Sequence, residues 1–199
     1  MIYLLAFLSG AGVLILETAG ARLVSPFFGS TIQVWSSLIS VTLLSLSSGY
    51  AIGGWAVDRR PVARTLYAAL LLAGASLLPV PWLAHRVLSA AAGAGAPWGS
   101  LLSAALLLGP SISFLGSVGI IGVKLTSSHF ENVGGAVGRM YAVTTLGGMA
   151  GALATGFWLL PNFGLRSLFG SMSLFFLGIG ALGLAWSCLK PPGDSFRTS

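Results

Sequence analysis

Charge is what this sequence has least of. Only 7% of its 199 residues are Asp, Glu, Lys or Arg, against about 25% in an ordinary soluble domain. So few charged groups cannot cover a water-facing surface, which excludes a soluble enzyme. Cysteine occurs once, as Cys188, which excludes an internal disulfide scaffold. There are two histidines and four acidic residues, and no metal-ligand spacing, Gly-rich phosphate loop or nucleophile elbow. No cofactor or metal is expected. The net charge of +6 does not mark a nucleic-acid binder, because the ten Lys and Arg are scattered at the ends of apolar runs, where membrane proteins keep them.

What is present is apolar: 55% hydrophobic residues with a mean hydropathy of +0.92. Six apolar segments run from Ile2 to Leu23, Ile32 to Val57, Ala63 to Leu83, Gly99 to Val123, Val137 to Leu160 and Leu165 to Leu189. Each reaches or exceeds the ~20 residues that cross a ~30 Å hydrocarbon core. None alternates as a transmembrane strand does, and helix is the other way to satisfy the backbone in lipid. The expected fold is all-α, a polytopic bundle of six transmembrane helices, with residues 191–199 as a short cytoplasmic tail. Trp35 and Trp55, Tyr67 and Trp82, and Tyr141 and Trp158 bracket three of the segments, as interfacial aromatic belts do; packing inside the bundle is the competing reading for each. Loops are expected around Asp58 to Arg64, His85 to Trp98 and Lys124 to Gly138.

With a cytoplasmic N-terminus, the inner loops hold Arg59, Arg60, Arg64, Lys124, Arg139, Lys190 and Arg197. The outer loops hold only Arg22, Arg86 and Arg166. The excess puts both termini in the cytoplasm, and this fits a bacterial inner membrane. Ala19-Gly20-Ala21 resembles a signal-peptidase site, but Glu17 lies just upstream and no Lys or Arg precedes the apolar run, so a retained helix is expected.

The glycines suggest two inverted three-helix repeats, the architecture of many transporters. Trp35 and Tyr141 lie 106 positions apart, and Glu17 and Lys124 lie 107 apart.

Glu17 and Asp58 are the ligand-binding candidates. Glu17 sits inside the first apolar segment, ~6 Å from its midpoint by helical rise. A carboxylate there costs ~2.5–3.5 kcal/mol unless it faces protein or water. Its functional reading is a cation or proton site; its structural reading is a bond to a neighbouring helix. Arg22, ~140° round the helix at 100° per residue, is expected to snorkel to the interface. Asp58, at the membrane boundary, can accept from a helix N-terminus or an Arg. Arg59, Arg60, Arg64, Lys124 and Arg139 are candidates for contact with lipid phosphates or a partner. A surface pair of Lys124 with Glu131 would be worth little. Gly49 with Gly53, and Gly147 with Gly151, form small-residue faces for close helix packing; the second pair also offers a dimer face. Pro26, Pro79, Pro81 and Pro110 mark kinks or ends.

From Gly10 to Arg60 the chain resembles the membrane domain of integral-membrane, spermidine synthase-like proteins. The likeness rests on Leu16-Glu17, Arg22-Leu23-Val24-Ser25-Pro26-Phe27-Phe28-Gly29-Ser30, Val34-Trp35, and Gly49-Tyr50 through Gly53-Gly54 to Asp58-Arg59. Val137 to Gly151, Leu159-Leu160-Pro161 and Gly164-Leu165-Arg166 continue it. The end of the second segment is also similar, more weakly, to a loop motif of the major facilitator superfamily. The first resemblance implies a helical bundle that is often followed by a soluble aminopropyltransferase-like domain, which acts on decarboxylated S-adenosylmethionine and a polyamine. No position here matches that domain's catalytic residues, so no enzyme activity is expected of the chain.

The leading expectation is a non-catalytic membrane subunit that anchors, or passes ligand to, a cytoplasmic synthase-like partner. The alternatives are a half-size transporter of a cationic substrate working as a homodimer, and a structural subunit of a larger membrane complex. Membrane lipid is an expected partner; nucleic acid is not.

Overall fold

The computed structural model describes residues 1–59, 63–126 and 133–189. Among these there is no strand. Helices α1 (Ile2–Phe28), α2 (Ile32–Arg59), α3 (Ala63–Leu77), α4 (Val80–Ala91), α5 (Ala96–Leu107), α6 (Gly109–Thr126), α7 (Val133–Ala154) and α8 (Leu165–Leu189) follow in order. A π-helical segment, Thr155–Leu159, and a last turn, Leu160–Asn162, extend α7. Five helices are long and apolar enough to cross a membrane, or six where α3 and α4 count as one bent span. The chain is a multi-pass membrane helix bundle.

Several boundaries differ from the sequence reading. The first helix runs on past Leu23 to Phe28, through Pro26, and stops at Gly29, whose φ of 79° lies where residues with a Cβ are disfavoured. This brings Glu17 to within ~3 Å of the helix midpoint by the 1.5 Å rise. The third segment breaks at Leu78, and α3 and α4 meet at 57°. Pro79 has no N–H to continue the ladder, and the Leu78 N–H turns back to the Ala75 carbonyl instead. The stretch from His85 to Trp98, expected as a loop, is helical through most of its length in α4 and α5. The fourth apolar run accordingly starts earlier, at Ala96, and is interrupted at Leu108 ahead of Pro110.

Three helix pairings dominate: α1 on α7, α2 on α6, and α3 on α8. Glycine sets each of them. A Cβ on Gly49 would collide with the Ser113 backbone, and one on Gly53 with Ser117. A Cβ on Gly147 would strike Phe7, and one on Gly151 would strike Ala11. Gly74 lies against Leu177, and Gly180 against Leu71. Serine hydroxyls add bonds between helices. Ser48 meets Ser113 at 3.1 Å, Ser76 meets Ser111 at 2.7 Å, and Ser173 donates to the Gly74 carbonyl at 2.8 Å. In lipid such bonds are worth about 0.6–2 kcal/mol each. Phe169, Phe176, Leu16, Leu70, Ile112 and Leu115 are buried between the helices.

These contacts come in matched pairs. Phe7 and Ser113, Gly10 and Gly116, and Ala11 and Ser117 are each 106 positions apart. Gly49 and Gly147, Gly53 and Gly151, and Leu46 and Thr144 are each 98 apart. The contact of Gly10 with Thr144 thus repeats as Gly116 with Leu46, and Gly74 with Leu177 repeats as Gly180 with Leu71. Rising residue numbers along the α2–α6 and α1–α7 contacts show these pairs to be parallel. The α3–α8 and α1–α6 pairs run antiparallel. Two three-helix units of opposite topology therefore build the bundle. The register expected from Trp35 and Tyr141 does not hold for the second helix of each unit. There the offset is 98, because the chain between the matched positions of the first and second helices is eight residues shorter in the second half.

Both described ends of the chain lie at one end of the bundle. The Tyr67 hydroxyl is 3.9 Å from the Met1 sulfur. One turn earlier, the Arg64 guanidinium donates to the Ser187 carbonyl at 2.8 Å.

Candidate functional site

The inner faces of α1, α2, α6 and α7 do not close on each other. They leave a cavity of about 370 Å³ between the two units. Its floor is α1 and α6, which present Gly10, Val13, Leu14, Leu115, Gly116, Gly119 and Ile120. On α1 the opposite side carries Gly12, which meets Phe176 of α8. Glycine makes the space: a Cβ on Gly119 would have only ordinary contact with the Thr144 hydroxyl, at 3.9 Å. The walls are α2, with Leu46 and Tyr50, and α7, with Met140, Tyr141, Thr144, Thr145, Gly148, Met149 and Ala152.

The lining repeats the internal symmetry. Gly10 with Gly116, Val13 with Gly119, Leu14 with Ile120, Leu46 with Thr144, and Tyr50 with Gly148 are all equivalent positions under the two offsets. The cavity thus straddles the relation between the two halves, where inverted-repeat membrane proteins place their binding sites. Its chemistry is not symmetric. Tyr50 stands opposite Tyr141, edge to face, with ring centroids 6.4 Å apart, a favourable aromatic geometry. The Thr144 hydroxyl donates to the Met140 carbonyl at 2.8 Å. Among the described residues neither tyrosine hydroxyl has a hydrogen-bond partner. Among the described residues no Asp, Glu, Lys, Arg or His lines the cavity.

The residues singled out from the sequence fall elsewhere. Glu17 is half-buried on α1, one turn beyond Val13 and Leu14 on the same helix face. It does not line the cavity, and among the described residues it has no hydrogen-bond or ion-pair partner. Asp58 pairs with a lysine rather than an arginine or a helix N-terminus: its Oδ1 is 2.9 Å from Lys124 Nζ. The proposed partner of Lys124, Glu131, lies outside the described residues, as do Arg60, His129, Lys190 and Arg197. The Asp58–Lys124 pair ties the end of α2 to the end of α6 and is exposed on both sides. Arg59 stacks over Trp55, 4.1 Å from the ring centroid, a cation–π contact. Arg64 is held by Ser187. Arg139, near the start of α7, is exposed.

Gly49, Gly53, Gly147 and Gly151 all serve packing within the chain. The dimer reading of Gly147 and Gly151 gives way, because α1 already covers them. Arg22, Arg86 and Arg166 are exposed near the opposite end. Tyr67 is buried beside Gly183 rather than held at an interface. Tyr141 belongs to the cavity more than to an aromatic belt. Among the described residues there is no cluster able to hold a metal ion.

Tyr50 and Tyr141 were not singled out as a pair from the sequence. The signal was present in part: each tyrosine sits on a helix of the same order in its half, and each precedes a pair of glycines, Gly53-Gly54 and Gly147-Gly148. Comparison with family models, with curated proteins and with solved structures finds no match.

Proposed function

We propose that the chain is a membrane-embedded binding protein of the carrier type, which holds a small, largely apolar and uncharged molecule between two inverted three-helix halves. The observation that carries this reading is the cavity itself. It is walled by equivalent positions of both halves, glycine keeps it open, and its polar groups are hydroxyls. A cationic substrate is not favoured. A charge without a partner is costly in an apolar site, and Glu17 does not line this one. A purely structural subunit would have no use for the space.

Native mass spectrometry of the chain, extracted in mild detergent, tests the reading. A copurifying small molecule is expected on the wild type and not on Gly119→Leu, whose side chain would occupy the cavity. Identical adducts on both, or none on either, would overturn it.

A second reading keeps the spermidine synthase-like resemblance. Arg59, Arg64, Lys124 and the exposed Arg139 lie at the end that also carries Met1 and Ser187. A cationic end of this kind suits contact with a soluble partner or with lipid phosphates. On this reading the chain delivers its ligand to a synthase-like protein on the cytoplasmic side. Copurification of a soluble protein that is lost on Arg139→Glu would support it.

A further inference from the structure

The cavity has a side door. α2 and α7, its two walls, are not packed along one another. They approach through the edge-to-face contact of Tyr50 and Tyr141. Along α7, Tyr141, Thr145 and Met149 recur every fourth residue, all exposed and all lining the cavity. They form one stripe down the edge of the opening. Both α2 and α7 with its extension qualify as membrane spans, so an opening between them at this depth faces hydrocarbon. By helical rise Tyr50 lies ~13 Å from the end of α2 at Arg59, and Tyr141 ~12 Å from the start of α7. Their rings meet there with centroids 6.4 Å apart. Leu14, Leu46, Met149 and Ala152 line the part of the cavity further from the cationic end.

We infer that the ligand enters sideways from the bilayer between α2 and α7, and that it is an uncharged lipophile with one oxygen-bearing end, of the long-chain alcohol or ketone class. This rests on the reading that the cavity holds a ligand, and adds its chemical class and its route. Each phenol can donate to a carbonyl or hydroxyl oxygen and accept from a hydroxyl, and neither hydroxyl is occupied among the described residues. The hydrocarbon remainder meets leucine, methionine and alanine. A charged headgroup would find no counter-ion among the described residues that line the cavity, and burying it there unpaired is strongly unfavourable. A molecule of this class concentrates in the bilayer, so a lateral entrance meets it at high local concentration.

Photolabelling of the full chain in liposomes tests the inference. One probe is a long-chain alcohol carrying a diazirine in its chain; the other is a small, water-soluble aromatic azide. The expected result is labelling by the alcohol on the peptides that hold Tyr50 and Tyr141 to Met149. This labelling should fall about tenfold in Gly119→Leu, while labelling of the exposed Leu174 and Phe175 on α8 stays unchanged. Ala152→Leu, which fills the other end of the cavity, should act in the same way if Gly119→Leu does not fold. Tyr50→Phe should weaken alcohol labelling more than labelling by the matching alkane.

Cavity labelling by the azide alone would overturn lateral entry and the lipophile class while leaving a ligand-binding cavity in place. Labelling by neither probe above the α8 background would sink both readings. Protection of the cleft from both probes in a chain that runs as a dimer would assign the opening to a second copy, and would also overturn the proposal.

Discussion

Gly49 of α2 rests on the backbone carbonyl of Ser113 in α6, with no room for a single extra carbon between them. The same approach recurs in the other half, where Gly147 of α7 rests on the carbonyl of Phe7 in α1. In lipid there is no hydrophobic drive between helices, so close van der Waals packing and interhelical hydrogen bonds hold the bundle together. Here both arise from one choice. Glycine lets α2 approach α6, and the approach brings Ser48 within 3.1 Å of Ser113.

This relationship predicts a matched pair of mutational effects. Gly49→Ala and Gly147→Ala should each destabilise the chain by about 1–3 kcal/mol, the usual cost of overpacking. Gly170→Ala is the control: a Cβ there meets nothing within 4 Å, and alanine is favoured over glycine in a helix by about 1 kcal/mol. Thermal unfolding in detergent should show the first two midpoints lowered and the third unchanged or raised. A large difference between the Gly49 and Gly147 variants would contradict their equivalence.

The Asp58–Lys124 pair should contribute little to stability. Both side chains are more than half exposed, at 66% and 55%, and such pairs are typically worth up to about 1 kcal/mol. Asp58→Asn and Lys124→Met are expected to shift the unfolding midpoint by no more than a few degrees. A double-mutant cycle should give a coupling near the low end of that range, smaller in high salt. A coupling of several kcal/mol would mean that the pair is shielded from water in the assembled protein.

The fold class was open to reading because its cause is compositional. So few charges, gathered at the ends of long apolar runs, leave a membrane bundle as the way to bury the chain. Helix termini were harder, since they depend on local chemistry. Pro26 stays inside α1, while Pro79 breaks a span into two helices at 57°; nothing in either prolyl residue alone distinguishes the outcomes. The repeat was visible in its glycines but not in its register, because the offset changes from 106 to 98 between the first and second helices of each half. The cavity was not legible. Tyr50 and Tyr141 are 91 positions apart, and their meeting depends on α1 and α6 holding α2 and α7 at a fixed spacing. Glu17 drew attention as a charge in an apolar run, yet the cavity is lined without it.

Glu17 leads to a prediction of its own. It sits near the middle of α1, half-buried, with no polar partner among the described residues. A carboxylate at that depth is a cost of about 2.5–3.5 kcal/mol on insertion scales, and here no bond offsets it. Glu17→Gln, which removes the charge, should raise the unfolding midpoint, and Glu17→Leu should raise it further, by several degrees. Neither should alter occupancy of the cavity. A loss of stability in Glu17→Gln would show that the carboxylate is held by a charged or hydrogen-bonding group contributed from elsewhere in the assembly.

The last prediction concerns direction. Cys188 is the only cysteine in the chain, is exposed, and lies next to Ser187, which binds Arg64 at the end of the bundle that also holds Met1. By the positive-inside rule, the excess of Lys and Arg at this end leads us to expect it on the cytoplasmic side. A membrane-impermeant maleimide should therefore label the native thiol in inside-out vesicles and spare it in right-side-out vesicles. In a Cys188→Ser background, Ser89→Cys reports on the other end, because Ser89 is exposed near the end of α4, close to Arg86. Its labelling should show the opposite preference. If both thiols react from one side, the chain does not cross the membrane between α3 and α8 as the antiparallel packing of Gly74 and Gly180 requires. If the two preferences are simply exchanged, the bundle stands and its orientation is reversed, with the cationic end facing outward.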